Sequence, residues 1–237
     1  MKHVALPIGV FTILAFALSW SINHFLPELI VSGLNVKEIL TGFGPAVSGL
    51  ICYWLFGTPN TYKLSLTGSR PALSVGIVAL SLSLPLLFLA KPDPILWAGF
   101  VLTQFVYTLG EELGWRHYLQ NAVAPLNGWQ QAGVIGLCWF LWHYAILDDP
   151  TTMLTGQSAP AFIGIPLMVG LLSLLSKLLG DIVSRTQAVF LPVSLHYIGK
   201  VGNSYMLLAV FGIVMATHIY FQKIARTNRP KSAKSHA

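Results

Sequence analysis

Apolar positions in this chain come as long unbroken runs, separated by short clusters of turn-forming residues. A helix rises about 1.5 Å per residue, so about 20 apolar residues cross the roughly 30 Å hydrocarbon layer of a bilayer. About eight such runs fit the chain, at 4–26, 38–57, 72–90, 94–120, 129–147, 160–180, 187–202 and 203–225. The breaks carry turn chemistry: Pro27, "GTPN" at 57–60, "GSRP" at 68–71, "KPDP" at 91–94, "PLNG" at 125–128 and "DDPTT" at 148–152. The seventh run, "AVFLPVSLHYIGKVGN", is short and contains Pro192, Gly199 and Gly202. Irregular backbone at membrane depth is tolerated where it lines a cavity, so this run predicts a broken helix. The expected fold class is all-α: a polytopic membrane helix bundle of about eight transmembrane helices, one of them broken and lining a polar cavity. Residues 1–225 form one transmembrane domain, with its polar core at about 94–203, and 226–237 form a basic cytoplasmic tail. No internal repeat is visible, and low complexity is confined to the tail.

Composition agrees with a membrane protein. Hydrophobic residues make up 54% and charged residues 9%, against about 25% charged in soluble domains, and the mean hydropathy is +0.68. The net charge of +6 sits in short loops and in "QKIARTNRPKSAKSHA", with no basic groove interleaved with aromatics, which excludes a nucleic-acid partner. Its distribution instead sets topology. With both termini cytoplasmic, that side receives Lys2, Lys63, Arg70, Arg116, Lys177, Arg185, Lys223, Arg226, Arg229, Lys231 and Lys234, against only Lys37, Lys91 and Lys200 opposite. Eleven against three favours eight spans over seven, with both ends inside the cell membrane. The N-terminal run follows Lys2 and His3 like a signal peptide, but "AFA" at 15–17 is a weak cleavage site and the apolar stretch continues to Phe25, so it reads as a retained span. Cys52 and Cys138 lie inside apolar runs and offer neither a disulfide framework nor a CxxC metal site.

The chemistry lies in the polar groups inside the spans, where each ionisable group costs about 2.5 to 3.5 kcal/mol on insertion scales. Gln104, Thr108, Glu111 and Trp115 recur at four, three and four residues and form one helical stripe. Glu112 lies about 100° round the helix and reaches Arg116 one turn on. Trp139 and His143 share a face of the fifth run, and His196, Lys200 and Asn203 share one on the seventh. Counted from cytoplasmic ends at 122, 129 and 187, Glu111 lies about 16 Å deep, His143 about 21 Å and His196 about 13 Å, so antiparallel neighbours bring them to a common level. A carboxylate withdrawn from bulk water is a stronger base, able to deprotonate water, and an imidazole can orient that water or pass a proton to a leaving amine. A second histidine with a nearby amide donates to a developing oxyanion. Glu112 with Arg116 reads equally as an ion pair that holds the helix end. His3, His24, His117, His218 and His236 sit at ends, at an interface or alone on a lipid-like face, and Trp115, Trp139 and Trp142 read equally as packing or interface aromatics. Neither GxSxG nor HExxH occurs.

These residues carry a family resemblance. "EELGWRHYLQ" resembles the EExxxR motif of the CPBP family of intramembrane proteases, also called the Abi or type II CAAX prenyl endopeptidase-like family, related to the Rce1 enzymes. "WFLWHYAI" is similar to its aromatic-xxx-His motif, "LPVSLHYIGK" to its His-xxx-Asn motif, and "GFGPAV" at 42–47 to an early Gly-Pro. The resemblance implies an eight-helix fold whose cavity opens toward the cytoplasm. Within it Glu111 and His143 activate water, Glu112 and Arg116 support the first motif, and His196 faces the oxyanion. The chain departs from the pattern at Lys200, where the family has Asn, and at His117, where it has Gly; Asn203 one turn on, or Lys200 itself, then supplies the donor. A Glu with two His also suits a catalytic zinc site with an open position, but activation by the carboxylate needs no metal and is the preferred reading.

The leading expectation is an intramembrane endopeptidase acting on a membrane-anchored protein or peptide near the cytoplasmic face. A non-catalytic partner protein, such as one giving immunity to a peptide bacteriocin, is the second. A proton-coupled transporter is the third, disfavoured because inverted repeats with paired broken helices are not evident.

Overall fold

The computed structural model describes residues 2–57, 61–88, 93–155 and 160–201. The eighth run at 203–225, Asn203 and the basic tail therefore lie outside the described residues. Nearly all the regular structure is helical: α1 (Lys2–Phe25), α2 (Val36–Gly42), α3 (Gly44–Phe56), α4 (Pro71–Phe88), α5 (Pro94–Glu112), a π-helical segment (Leu113–Leu119), α6 (Gln120–Ala122), α7 (Gly128–His143), α8 (Thr152–Thr155), α9 (Ala161–Thr186) and α10 (Phe190–Val201). The all-α expectation misses one small ribbon, β1 (Ile30–Val31) paired antiparallel with β2 (Leu34–Asn35). Ser32 and Gly33 turn between them at φ 51° and 82°, the left-handed geometry of a tight hairpin.

Among the described residues, three stretches are long and apolar enough to cross a membrane: Ala5–Phe25, Val36–Phe56 and Ala161–Thr186; Pro71–Leu87 is a shorter apolar helix. Leu50, Trp54, Leu87 and Phe162 are 70 to 84% exposed on these helices. Side chains of that size facing outward fit a lipid boundary. The second stretch bends at Phe43 because Pro45, at the first turn of α3, has no N–H to continue α2. The carbonyl of Thr41 accepts the Ser19 hydroxyl of α1 at 2.8 Å instead.

Two boundaries differ from expectation. α7 stops at His143, capped by Tyr144, and α9 runs on to Thr186, where Gln187 takes φ 56°. The seventh run is not a broken helix over its described part. α10 continues without interruption from Phe190 to Val201; Pro192 falls in its first turn, where a missing N–H removes no helical bond.

The packing forms two apolar centres. One gathers Phe11, Trp115, Tyr118, Trp139 and Trp142 from α1, the π segment and α7. The other joins Val101 and Phe105 of α5 to Val193, Tyr197 and Ile198 of α10. α5 and its continuation belong to both centres, so the groups on its C-terminal end are held between them.

Candidate functional site

α5 presents Glu111 and Glu112 as its last two residues, immediately before the wider π turns. Insertions of this kind recur at functional sites. Glu111 is 2% exposed and Glu112 is fully buried. Glu111 Oε2 accepts the indole N–H of Trp139 at 3.0 Å. It also makes a hydrogen-bonding contact with Tyr107 one turn earlier and lies within electrostatic reach of His196 and Lys200.

Glu112 is engaged on both oxygens. Arg116 Nε donates to Oε2 at 2.7 Å, and His196 Nδ1 stands 2.9 Å from Oε1. Arg116 is fully buried, its Nη1 donating to the Ser176 carbonyl at 3.4 Å and its guanidinium 5.6 Å from the centre of the Trp139 ring. An arginine inside a bundle needs such a partner, since removing one member of a buried pair costs about 3 to 5 kcal/mol.

His143, at the C-terminal end of α7, is 5% exposed. Its Nδ1 lies 2.8 Å from the carbonyl of Trp139. A carbonyl only accepts, so Nδ1 carries the hydrogen, and in the neutral ring Nε2 is left with a lone pair. Trp139 joins the groups: its ring centre is 6.0 Å from that of His143 and 5.0 Å from that of His196, while its N–H holds Glu111. Glu111, Arg116, His143 and His196 thus surround one indole, with Glu112 bridging Arg116 and His196. His196 pairs directly with Glu112, the acid one residue on that faces α10, while it stays within electrostatic reach of Glu111.

Lys200 lies one turn beyond His196, with its Nζ 3.1 Å from the centre of the Tyr107 ring and within electrostatic reach of Glu111 and Glu38. The expected polar stripe on α5 divides. Thr108 turns back to the Gln104 carbonyl at 2.7 Å, and Trp115 points into the aromatic core against Phe11 and Trp142. Gln104 Nε2 donates at 2.6 Å to Glu38 of α2, a residue that sequence reasoning overlooked. Its spacing from the helix-capping Asn35, whose side chain accepts from the Glu38 N–H at 3.0 Å, reads as a helix start and nothing more.

A zinc ion on Glu111, His143 and His196 would need three donors converging on one point. Among the described residues no group of three His, Cys, Asp or Glu side chains is placed to hold a metal; each histidine uses Nδ1 in a hydrogen bond, which leaves Nε2 as the ring nitrogen for any further partner.

A family model described as type II CAAX prenyl endopeptidase Rce1-like matches residues 92–202, which run from the turn before α5 to the end of α10. No curated protein matches the chain.

Proposed function

We propose, from the match of residues 92–202 to the type II CAAX prenyl endopeptidase Rce1-like family model, that this chain is a member of that family and an intramembrane endopeptidase that hydrolyses membrane-associated proteins or peptides with a water primed by Glu111 and His143. The family is a protease family and the apolar helices make this an integral membrane protein. The substrate, the residue roles, the count of eight spans and cytoplasmic termini in a plasma membrane are parts of the proposal.

The observation that supports it is that Trp139 holds Glu111 through its N–H while its ring centre lies 6.0 Å from that of His143 and 5.0 Å from that of His196, each histidine being hydrogen-bonded through Nδ1. A water held between Glu111 and His143 Nε2 gives its proton to Glu111 as its oxygen bonds to the substrate carbonyl carbon. The oxyanion so formed accepts hydrogen bonds from Lys200 or Asn203, and from His196 Nε2 when that ring carries its second proton, with Glu112 as counter-charge. The C–N bond then breaks, and the proton on Glu111 passes to the leaving amine, which restores the carboxylate.

Replacement of Glu111 by Gln tests this. Membrane peptides from cells carrying the unchanged chain and the Glu111→Gln chain are compared by mass spectrometry. Fragments that vanish with Gln support the endopeptidase. Ion-coupled flux that vanishes would indicate a transporter, and an unchanged phenotype a non-catalytic partner.

A further inference from the structure

Away from the acids, α6, α7 and α9 enclose a cavity of about 200 Å³. Its mouth is marked by exposed Gly128 and Ser184, and its inner end by buried Gln120, Ala132, Ile135 and Ser176. Two polar atoms of its lining residues, Gln120 Oε1 and Ser176 Oγ, are buried with no hydrogen-bond partner, as is Arg116 Nη2. Arg116 touches this region directly, since its Nη1 donates to the Ser176 carbonyl, and one turn on Gln120 Nε2 donates to the Gly180 carbonyl at 3.1 Å. Three orphaned groups thus lie along one seam that ends behind the Glu112–His196 pair.

Each such group left dry carries a desolvation penalty, larger for a charged donor. Water relieves that cost where a space is polar and each molecule has two to four partners, and at about 30 Å³ each several fit here. Ions are poorly matched, because Lys177 is paired with Asp181 and Arg116 with Glu112, so the lining offers little net charge. The mouth also stands at a wet level. Trp129 is 64% exposed and lies 5.8 Å from the Lys177 ammonium, the amphipathic pairing that suits the headgroup zone. We infer that this cavity is a hydration channel that carries water from the basic end of the bundle down to the guanidinium of Arg116. Its use as a supply of hydrolytic water rests on the endopeptidase reading; its hydration does not.

Thiol labelling tests it on the full chain in nanodiscs. Aminoethyl methanethiosulfonate reacts with the thiolate, so modification requires water at the sulfur. Ser176→Cys lies at the inner end, ten residues inside α9, and Leu167→Cys, at a position 56% exposed on the same apolar helix, reports the lipid-facing background. The unchanged chain, whose Cys52 and Cys138 are buried, is the blank. Ser176→Cys is expected to label at least about tenfold faster than Leu167→Cys, and adding Ser184→Trp at the mouth to slow it by a similar factor. Labelling no faster than Leu167→Cys, or unaffected by Ser184→Trp, overturns the channel. Ala132→Cys reads the same cavity from α7 should Ser176→Cys fail to accumulate. These rates do not depend on cleavage. Loss of the channel with Glu111-dependent fragments intact therefore rejects this inference alone, and hydration without such fragments rejects only the endopeptidase.

Discussion

Trp139 is the residue whose importance is least evident from its type. In the sequence it is one aromatic among many, equally suited to packing or to an interface, and only its spacing from His143 sets it apart. In the fold its N–H holds Glu111 and its carbonyl holds His143. Trp139→Phe keeps an aromatic ring, though a smaller one, and the carbonyl, and removes one hydrogen bond to a carboxylate, an interaction worth about 1.5 to 3 kcal/mol. Formation of the Glu111-dependent fragment should fall about 10- to 100-fold, with folded yield unchanged by size-exclusion chromatography. Lys200 gives a second test, because it stands where the resembling family has Asn. If its role is to donate a hydrogen bond near Glu111, Lys200→Asn should preserve fragment formation within a few-fold, whereas Lys200→Met should lower it by about 10²-fold, the usual effect of losing one oxyanion donor. Equal loss in both variants would point to packing over Tyr107. The acids and imidazoles themselves were legible because ionisable groups stand out in apolar runs. Which acid meets which imidazole was not: Glu111 and Glu112 are adjacent, and the choice depends on how α10 approaches α5. Glu38 was hidden because its spacing from Asn35 already has a local explanation as a helix start.

At the scale of elements, periodicity located the runs but not the way their backbones meet. The run 94–120 is a single path through α5, the π segment and α6, and nothing in "EELGWRHYL" announces the wider turns, since side-chain preferences barely distinguish them from α-helix. The seventh run shows the opposite error: Pro192 reads as a breaker, yet a proline in a first turn is harmless. Close approach is written in glycines. A Cβ on Gly114 would stand 2.4 Å from Pro45 Cβ and 2.5 Å from its backbone carbon, and one on Gly110 2.6 Å from the Gly42 carbonyl oxygen. Neither contact can yield by rotating a side chain, so small residues set the distance between α3 and the acid-bearing segment, as they do in membrane helix pairs generally. Gly114→Ala should destabilise the protein by about 1 to 3 kcal/mol through overpacking. Gly76→Ala, where an added Cβ meets nothing within 4 Å, should be neutral or slightly stabilising. Reversible unfolding in mixed micelles measures both, and equal values would mean that the seam is looser than its geometry.

For the whole molecule, the contacts sort the loops into two ends, and the charges follow. Residues 61–70 meet the connector after α9, with Ser65 N donating to the Gln187 carbonyl and Val189 N to the Ser65 carbonyl, both at 3.0 Å, and Tyr62 N donates to Asn121 at 2.8 Å. This end carries Lys63, Arg70, Lys177 and Arg185. At the other end the β1–β2 hairpin touches the first turns of α5, where a Cβ on Gly33 would stand 2.9 Å from Leu96 Cα, and Lys37 lies beside it. Packing thus sets four of these cations at one end and Lys37 at the other, an asymmetry of the kind that orients membrane chains. The basic end should therefore face the cytoplasm. Alkaline phosphatase, active only outside the cytoplasm, should be inactive when fused after Lys63 or Arg185 and active when fused after Lys37, while a fluorescent protein after Ala237 should fold and fluoresce. Phosphatase activity after Lys63 would invert the bundle. Glu111 would then approach the opposite leaflet, and the hydration channel would open on the far side from the cytoplasm.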